Sequence, residues 1–384
     1  MKFSIYTKVL VMGIILLSAV GAMAAPEDIV PANLRCEYLV NPLGIDAAAP
    51  RLSWELQSVD ETARGLAQSA YQVLVASSED NLAADTGDLW DTGKIADSDS
   101  NQIVYRGEPL TACMRVFWKV RVWDAQNQAS VWSAPAYWSM GLLQQADWKG
   151  AQWIGDAAEA PAERDNPNPP IPPSPLLRRS FTVAGPVVWA TLYVTSRGNY
   201  ECRLNGVRVG DHVLAPEWTD YEKRIQYQTY DVTASIHEGD NVLGAMLGDG
   251  WYLGRLGPTR WSKEYPRRGV YGLHRRLLAR LDVELADGSV QRIVSDGEWK
   301  CNPDGPIRQA DIFLGETFDA RKIVSGWDAP GFDDASWAVV TAEPLDDVLL
   351  EAQMNEPIRV IEELPAQSVA SPTQGVYIFD LGQN

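Results

Sequence analysis

Two aspartates lie in loop sequence rich in glycine, proline and aromatic residues, and they are the first residues to consider for chemistry. Asp220 falls within Trp218-Thr219-Asp220-Tyr221, and Asp249 within Gly248-Asp249-Gly250-Trp251. Two carboxylates can serve as general acid and general base on a glycosidic bond. Turn aspartates more often accept hydrogen bonds from their own backbone, and acidic residues are common along this chain. We therefore predict no catalytic residue in it.

The aromatic residues beside these aspartates are candidates for contact with a sugar. An aromatic face covers the C–H surface of a sugar ring, and a carboxylate accepts hydrogen bonds from its hydroxyl groups. The predicted substrate-binding residues are Trp218, Asp220, Tyr221, Asp249, Trp251 and Tyr252. The alternative is that the aromatic rings pack between sheets while the aspartates cap turns. The sequence leaves both interpretations open.

Other residue patterns indicate neither a cofactor nor a defined metal site. Gly248, Gly250 and Gly254 nearly match a dinucleotide-binding fingerprint, but Arg255-Leu256-Gly257-Pro258 cannot form the helix that would hold a pyrophosphate. The three histidines lack the i,i+4 spacing of a metal pair. Calcium would require several oxygen ligands, and no such set stands out. We predict no cofactor, and the metal content stays unknown.

Four cysteines, Cys36, Cys113, Cys202 and Cys301, are too far apart in sequence for the short spacings of zinc sites. If disulfides form, pairing Cys36 with Cys113 and Cys202 with Cys301 keeps each bond within one predicted domain. Cys202 alternates with apolar neighbours, as a buried free thiol does. We favour free thiols.

The amino terminus and the overall charge indicate where the protein works. Lys2 and Lys8 precede the apolar run Val9 to Val20, and Ala22-Met23-Ala24 follows it. The run is shorter than the roughly 18 to 20 residues that span a bilayer, so we predict a signal peptide cut after Ala24 and a secreted or periplasmic protein without a membrane anchor. The formal charge of −18 argues against nucleic acid as a partner. The oligomeric state is not indicated.

Apolar residues alternate with polar ones wherever the chain is apolar, as at Leu52, Trp54 and Leu56. A period of two is typical of strands with one buried face, and we find no long helical stripe, so the predicted class is all-β. The pair Asn205-Gly206 predicts a two-residue hairpin, because both positions of its turn need positive φ. Repeated prolines between positions 166 and 175 predict a linker.

Several motifs in the first part of the chain resemble one family. The motifs are Asn41-Pro42-Leu43-Gly44-Ile45, Pro50-Arg51-Leu52-Ser53-Trp54, Leu89-Trp90-Asp91-Thr92-Gly93 and Phe117-Trp118-Lys119-Val120-Arg121-Val122-Trp123. Together they resemble the fibronectin-III-like N-terminal domain of bacterial α-L-rhamnosidases of glycoside hydrolase family 78. Short strands with frequent turns fit such a fibronectin-III/Ig-like sandwich.

Motifs after the prolines resemble the next domain of the same family, a jelly-roll β-sandwich. They are Tyr200-Glu201-Cys202-Arg203-Leu204-Asn205-Gly206, Ala215-Pro216-Glu217-Trp218-Thr219-Asp220-Tyr221 and Leu247-Gly248-Asp249-Gly250-Trp251-Tyr252. The segment Gly331-Phe332-Asp333-Asp334-Ala335-Ser336-Trp337 also resembles one that recurs in glycosidase sandwich domains. The expected organisation is a signal peptide (1–24), a fibronectin-III-like domain (31–145), a proline-rich linker (146–175), a jelly-roll domain (176–345) and the truncated start of a third β domain (346–384).

The resemblance implies a function for the whole enzyme rather than for this part of it. Family members carry an (α/α)6 barrel with two glutamates that hydrolyse terminal α-L-rhamnose with inversion, and no stretch of this chain matches that barrel. Residues Tyr377 to Asn384 look like a strand without a following partner, so we expect a truncated chain. The expected function is the non-catalytic N-terminal region of a secreted α-L-rhamnosidase whose partner is a rhamnose-containing glycan. The alternative is a stand-alone carbohydrate-binding or adhesion protein.

Overall fold

The computed structural model describes residues 29–58, 64–160, 171–255 and 268–383. Within these ranges strands dominate, which confirms the all-β prediction. The predicted signal peptide, residues 1–24, lies outside the described residues, as do residues 161–170 of the predicted linker. No helix in the described ranges has the length and apolar character needed to cross a membrane.

The first sandwich, which is the Ig-like domain, packs a three-stranded sheet (order β1-β2-β5) against a four-stranded sheet (order β4-β3-β6-β7) within the described residues. Its elements are β1 (Val30–Cys36), β2 (Arg51–Gln57), β3 (Ala70–Ala76), α1 (Glu79–Ala83), β4 (Trp90–Asp91), β5 (Ile103–Val104), β6 (Arg115–Trp123) and β7 (Ala136–Ser139). The alternating residues Leu52 and Trp54 are buried, and they share one core with Trp118, Val120 and Val122. The period-two pattern therefore selected the inward face correctly.

The second sandwich packs a seven-stranded sheet, with order β21-β8-β15-β10-β13-β22 and β16 beside β15, against a six-stranded sheet, with order β12-β11-β14-β9-β17-β20, among the described residues. The first half of its elements comprises β8 (Trp153–Gly155), β9 (Leu176–Val183), β10 (Val187–Arg197), β11 (Asn199–Leu204), β12 (Val207–Arg208), β13 (Arg224–Asp231), β14 (Gly239–Gly248) and α2 (Gly250–Leu253). The second half comprises β15 (Arg276–Leu285), β16 (Val290–Val294), β17 (Lys300–Asn302), β18 (Ile307–Asp311), β19 (Gly315–Phe318), β20 (Ala338–Val339), β21 (Thr341–Glu343) and β22 (Leu349–Ala352).

Short 3-10 turns and two separate hairpins complete the described structure. The turns span Gln145–Trp148, Thr233–Ser235 and Ala320–Lys322. The hairpins are β18-β19 and the pair formed by β23 (Ser368–Thr373) and β24 (Val376–Asp380). The predicted Asn-Gly turn joins β11 to β12, with φ of 51° at Asn205 and 85° at Gly206. Positive φ at both residues is what a type I′ hairpin requires.

Two strands of the second sandwich lie outside the bounds predicted for the jelly-roll domain. Strand β8 falls inside the predicted linker, yet it pairs with β15 and β21 in the large sheet, and Trp153 is buried there. Strand β22 falls inside the predicted third domain, yet it runs parallel to β13 along the edge of the same sheet. Both strands are too short to be recognised from their pattern alone, and each is stabilised by pairing with a distant segment.

The segment at the end of the described chain is also better paired than predicted. Strand β24, which covers the first half of the predicted lone strand, forms an antiparallel hairpin with β23 that precedes it. All residues of both strands are exposed.

The two sandwiches meet at a joint built by the Asn41-Pro42-Leu43-Gly44-Ile45 motif and the residue that follows it. The carboxylate of Asp46 accepts a hydrogen bond from the Tyr227 hydroxyl at 2.7 Å, and it also accepts the backbone amide of Ala352. The Tyr227 oxygen in turn accepts the backbone amide of Leu142 at 2.7 Å. Gly44 has a φ of +68°, and a Cβ there would lie 2.1 Å from the Thr229 hydroxyl oxygen. The joint is therefore close-packed, and its polar groups are paired.

All four cysteines are free thiols. Cys202 and Cys301 share one rung of the six-stranded sheet, because Cys202 pairs with Ala245, Ala245 with Leu177, and Leu177 with Cys301. Three strand spacings separate their Cα atoms by roughly 14 Å. A disulfide allows at most about 7 Å, so this fold excludes the Cys202–Cys301 bond considered from sequence.

Candidate functional site

The short helix α2 places two of the predicted site residues at one end of the second sandwich. It follows β14 directly, and Gly250 opens it with a φ of +54°. A Cβ on Gly250 would lie 2.0 Å from the Asn199 side-chain oxygen, so the glycine is needed both for its backbone conformation and for space. The turn then directs Trp251 and Tyr252 towards the apolar cluster at the edge of the large sheet.

Five aromatic residues, Trp218, Tyr221, Trp251, Tyr252 and Tyr271, form what we call the aromatic cluster. The rings of Trp218 and Trp251 are stacked, with centroids 5.7 Å apart and planes inclined by 12°. Tyr221 packs edge-on against Tyr252 at 5.5 Å and against Tyr271 at 5.1 Å. The indole nitrogen of Trp218 donates to the Tyr271 hydroxyl at 3.1 Å. The structure therefore brings together all four predicted aromatic residues.

The members of the aromatic cluster differ in how far solvent reaches them. Trp218 is 54% exposed, whereas Tyr221 is 3% exposed and donates its hydroxyl to the backbone oxygen of Glu217 at 3.0 Å. Burial raises the pKa of the Tyr221 hydroxyl. Trp251 is half-buried, and its indole nitrogen has no hydrogen-bond partner among the described residues. Tyr221 is thus a core residue, and Trp218 is the ring that a ligand could reach.

Asp249 is committed to an internal ion pair, not to a ligand. Its two carboxylate oxygens accept hydrogen bonds at 2.8 Å from Arg268, and each side chain is only 1% exposed. Arg275 approaches the same carboxylate at 3.9 Å and pairs with buried Glu159 at 2.7 Å. Removing one partner would leave an uncompensated buried charge, which typically costs about 3 to 5 kcal/mol. The prediction that Asp249 contacts a sugar does not fit this arrangement.

Asp220 lies on the surface, in the turn that follows Trp218. Its carboxylate pairs with Lys223 at 2.9 Å and accepts the backbone amide of Glu222 at 3.3 Å. The hydrogen bond from Lys223 is the main reason that the pKa of Asp220 is lowered. Asp220 is exposed while Asp249 is sealed inside the protein, so the two do not make an acid–base pair.

Sequence reasoning missed Tyr271 and Arg268, which complete the site. Tyr271 lies between Gly269 and Gly272, so the criterion that selected Trp251, an aromatic ring in glycine-rich sequence, would also have found it. A Cβ on Gly272 would overlap the Tyr252 ring at 2.1 Å, which shows how closely this loop packs on the cluster. Nothing local in sequence indicates that Arg268 pairs with Asp249. Within the described ranges no group of acidic, histidine or cysteine side chains is arranged to hold a metal ion.

Comparison with known families gives the class of protein. Residues 31–144 match the family described as Rha78A-like, N-terminal immunoglobulin domain. Residues 185–362 match the family described as Alpha-L-rhamnosidase N-terminal domain. The chain therefore carries two N-terminal domains of α-L-rhamnosidases, which confirms the resemblance identified from the motifs.

Individual relatives are similar over nearly the whole chain. An α-L-rhamnosidase of Alteromonas sp. (strain LOR) is 36% identical over 365 residues, covering 93% of this chain and 38% of the relative. One from Formosa agariphila is 38% identical, covering 91% of this chain and 36% of the relative. The chain therefore spans well under half the length of these two relatives.

Solved structures show the same fold. The α-L-rhamnosidase from Dictyoglumus thermophilum superposes with a TM-score of 0.79 at 35% identity, covering 92% of this chain and 38% of that one. The Streptomyces avermitilis α-L-rhamnosidase, solved as a complex with L-rhamnose, superposes with a TM-score of 0.80 at 32% identity, covering 93% and 49%.

Proposed function

We propose that this chain is the non-catalytic N-terminal region of a secreted α-L-rhamnosidase, an enzyme that hydrolyses terminal α-L-rhamnose from glycosides or polysaccharides. The observation that carries the proposal is that the chain matches the family's N-terminal domains while covering less than half of its relatives. The glycan partner follows from the activity that names those relatives.

The carboxylates of the described residues support a non-catalytic role. An inverting pair stands roughly 6.5 to 9.5 Å apart with room for water and sugar between the two groups. Asp249 and Glu159 come together through Arg275, but both are buried and each accepts hydrogen bonds from arginine. Asp220 is exposed and pairs with Lys223. Neither arrangement offers a cleft in which a glycosidic bond could lie between two carboxylates.

The test combines export and activity. The gene should be expressed in a bacterial host, and the exported protein should be purified. We expect an amino terminus at Ala25 and no hydrolysis of an aryl α-L-rhamnoside above the rate in buffer. Hydrolysis that is lost on Asp220→Asn or Asp249→Asn would place the chemistry in this chain and refute the proposal.

A second observation distinguishes this proposal from the alternative, a stand-alone carbohydrate-binding protein. The proposal expects the adjoining coding sequence to continue past Asn384 into an acid-rich helical region. It also expects the longer product to hydrolyse the same substrate.

A further inference from the structure

We propose that the outward face of Trp218 is a sugar-stacking contact, at which the second sandwich binds a single pyranose such as an α-L-rhamnose unit. The choice of sugar rests on the proposed function. The contact itself rests on the position of one ring, because Trp218 is the most exposed of the four aromatic residues predicted from sequence.

The exposure of Trp218 sets it apart from the other tryptophans in the described ranges. Five of these, Trp118, Trp138, Trp148, Trp153 and Trp299, are fully buried. Trp218 leaves 54% of its surface to solvent. An indole exposed to this extent contributes little to core packing and keeps a surface that a ligand can contact.

The ring of Trp218 is also held in a fixed orientation. Trp251 covers one face of the indole with nearly parallel planes, and the Tyr271 hydroxyl accepts a hydrogen bond from its nitrogen. Tyr271 is in turn packed against buried Tyr221. A ring that is already immobilised loses little conformational entropy when a ligand stacks on it, which favours binding through a small contact.

The surroundings of Trp218 suit a sugar better than a protein surface. The turn that follows it carries Asp220, Glu222 and Lys223, all exposed. A flat apolar ring bordered by charged groups matches a pyranose, which has an apolar C–H face and a rim of hydroxyl groups. A stable protein partner would need a buried area above roughly 1,000 Å² with an apolar centre. The charged turn interrupts such a surface.

The experiment is an NMR titration with L-rhamnose of the exported chain, from which the predicted signal peptide has been removed. The indole N–H resonance of Trp218, assigned with Trp218→Phe, should shift as the sugar is raised to about 50 mM, with half-saturation in roughly the millimolar range. Backbone amide shifts, which can be followed in both variants, should show that Trp218→Ala weakens binding at least tenfold and that Trp218→Tyr retains part of it. Tyr38→Ala is the matched control, because Tyr38 is similarly exposed, at 52%, but lies in the first sandwich. It should leave binding unchanged.

Each outcome decides the proposal without reference to catalysis. No shift of the Trp218 resonance at the highest sugar concentration overturns it, as do sugar-induced shifts of backbone amides that Trp218→Ala leaves intact. A Trp218-dependent dimer seen by sedimentation, without any effect of sugar, would assign the ring to contact with a second copy and would also overturn it. Hydrolysis by the isolated chain would refute the proposed function but not this contact.

Discussion

Two regions of the molecule contain similar types of residue but differ in how far those residues are paired. One is the joint between the two sandwiches, and the other is the aromatic cluster beside α2. At the joint, both oxygens of Asp46 accept hydrogen bonds, and Gly44 leaves no space beside Thr229. In the aromatic cluster the inner rings are packed, while Trp218 keeps one face open to solvent. Residue type does not distinguish scaffold from contact surface here. A side chain belongs to the scaffold when each of its faces and each of its polar atoms has a partner within the protein.

The joint should be the more sensitive of the two regions, and Gly44→Ala is the sharpest way to break it. Alanine would adopt a φ of +68° and push its Cβ against Thr229. Backbone strain and overpacking together should lower the free energy of unfolding by about 3 kcal/mol. Urea denaturation measures the change.

Gly93→Ala is the matched control for that substitution. Gly93 also has positive φ, +57°, but no atom lies within 4 Å of a Cβ placed there. We expect this substitution to lower the free energy of unfolding by about 1 kcal/mol, from backbone strain alone. Equal costs for the two variants would mean that close packing at the joint contributes nothing.

A smaller effect, with a defined pH dependence, is expected for Asp46→Asn. Both oxygens of Asp46 accept hydrogen bonds, whereas the side chain of asparagine has one oxygen and one NH2 group. The NH2 group would face a donor that the carboxylate had accepted from, so the variant should lose about 1 kcal/mol of unfolding free energy at pH 7. Burial raises the pKa of Asp46, and the hydrogen bonds from Ala352 and Tyr227 only partly oppose this.

The sign of the pH effect follows from that raised pKa. Because the folded pKa of Asp46 exceeds the unfolded value of about 3.9, its contribution to stability is fully present below that pH and declines as pH rises through the folded pKa. The advantage of the wild type over Asp46→Asn should therefore be larger at about pH 4 than at pH 7. Paired unfolding curves at the two pH values test this, and an advantage that shrinks in acid would contradict it.

The smallest effect on stability is expected for Trp218→Ala. Half of the ring is already exposed, so the loss is the stacking on Trp251 and the bond to Tyr271, about 1 kcal/mol or less. Thermal unfolding measures it. If the free energy of unfolding fell by several kcal/mol, Trp218 would be a structural residue, and the aromatic cluster would not differ from the joint in this respect.

Features that depend on neighbouring residues could be read from the sequence. Alternation at Leu52 and Trp54 selected the buried face, because successive side chains of a strand point to opposite sides. The Asn205-Gly206 pair predicted its hairpin, because few residues accept positive φ. The aromatic residues at Trp218 and Trp251 were recognised as a group from their loop context, and the structure brings them into contact.

Features that depend on distant residues could not be predicted from the sequence. Strand β22 pairs with β13 across more than a hundred residues, and no local pattern specifies a partner at that distance. Asp249 and Asp220 looked equivalent in sequence, yet Arg268 seals one inside the protein and Lys223 meets the other at the surface.

The sequence by itself determined the all-β class, the resemblance to α-L-rhamnosidases and a set of candidate residues for sugar contact, since these follow from period, turn chemistry and motif. Only the tertiary structure decided which strands close each sheet, which aspartate is buried and which indole stays open. The physical reason is that burial and pairing are properties of the assembled fold: a side chain becomes scaffold when non-local neighbours cover it, and those neighbours are set by packing rather than by the residues beside it in the chain.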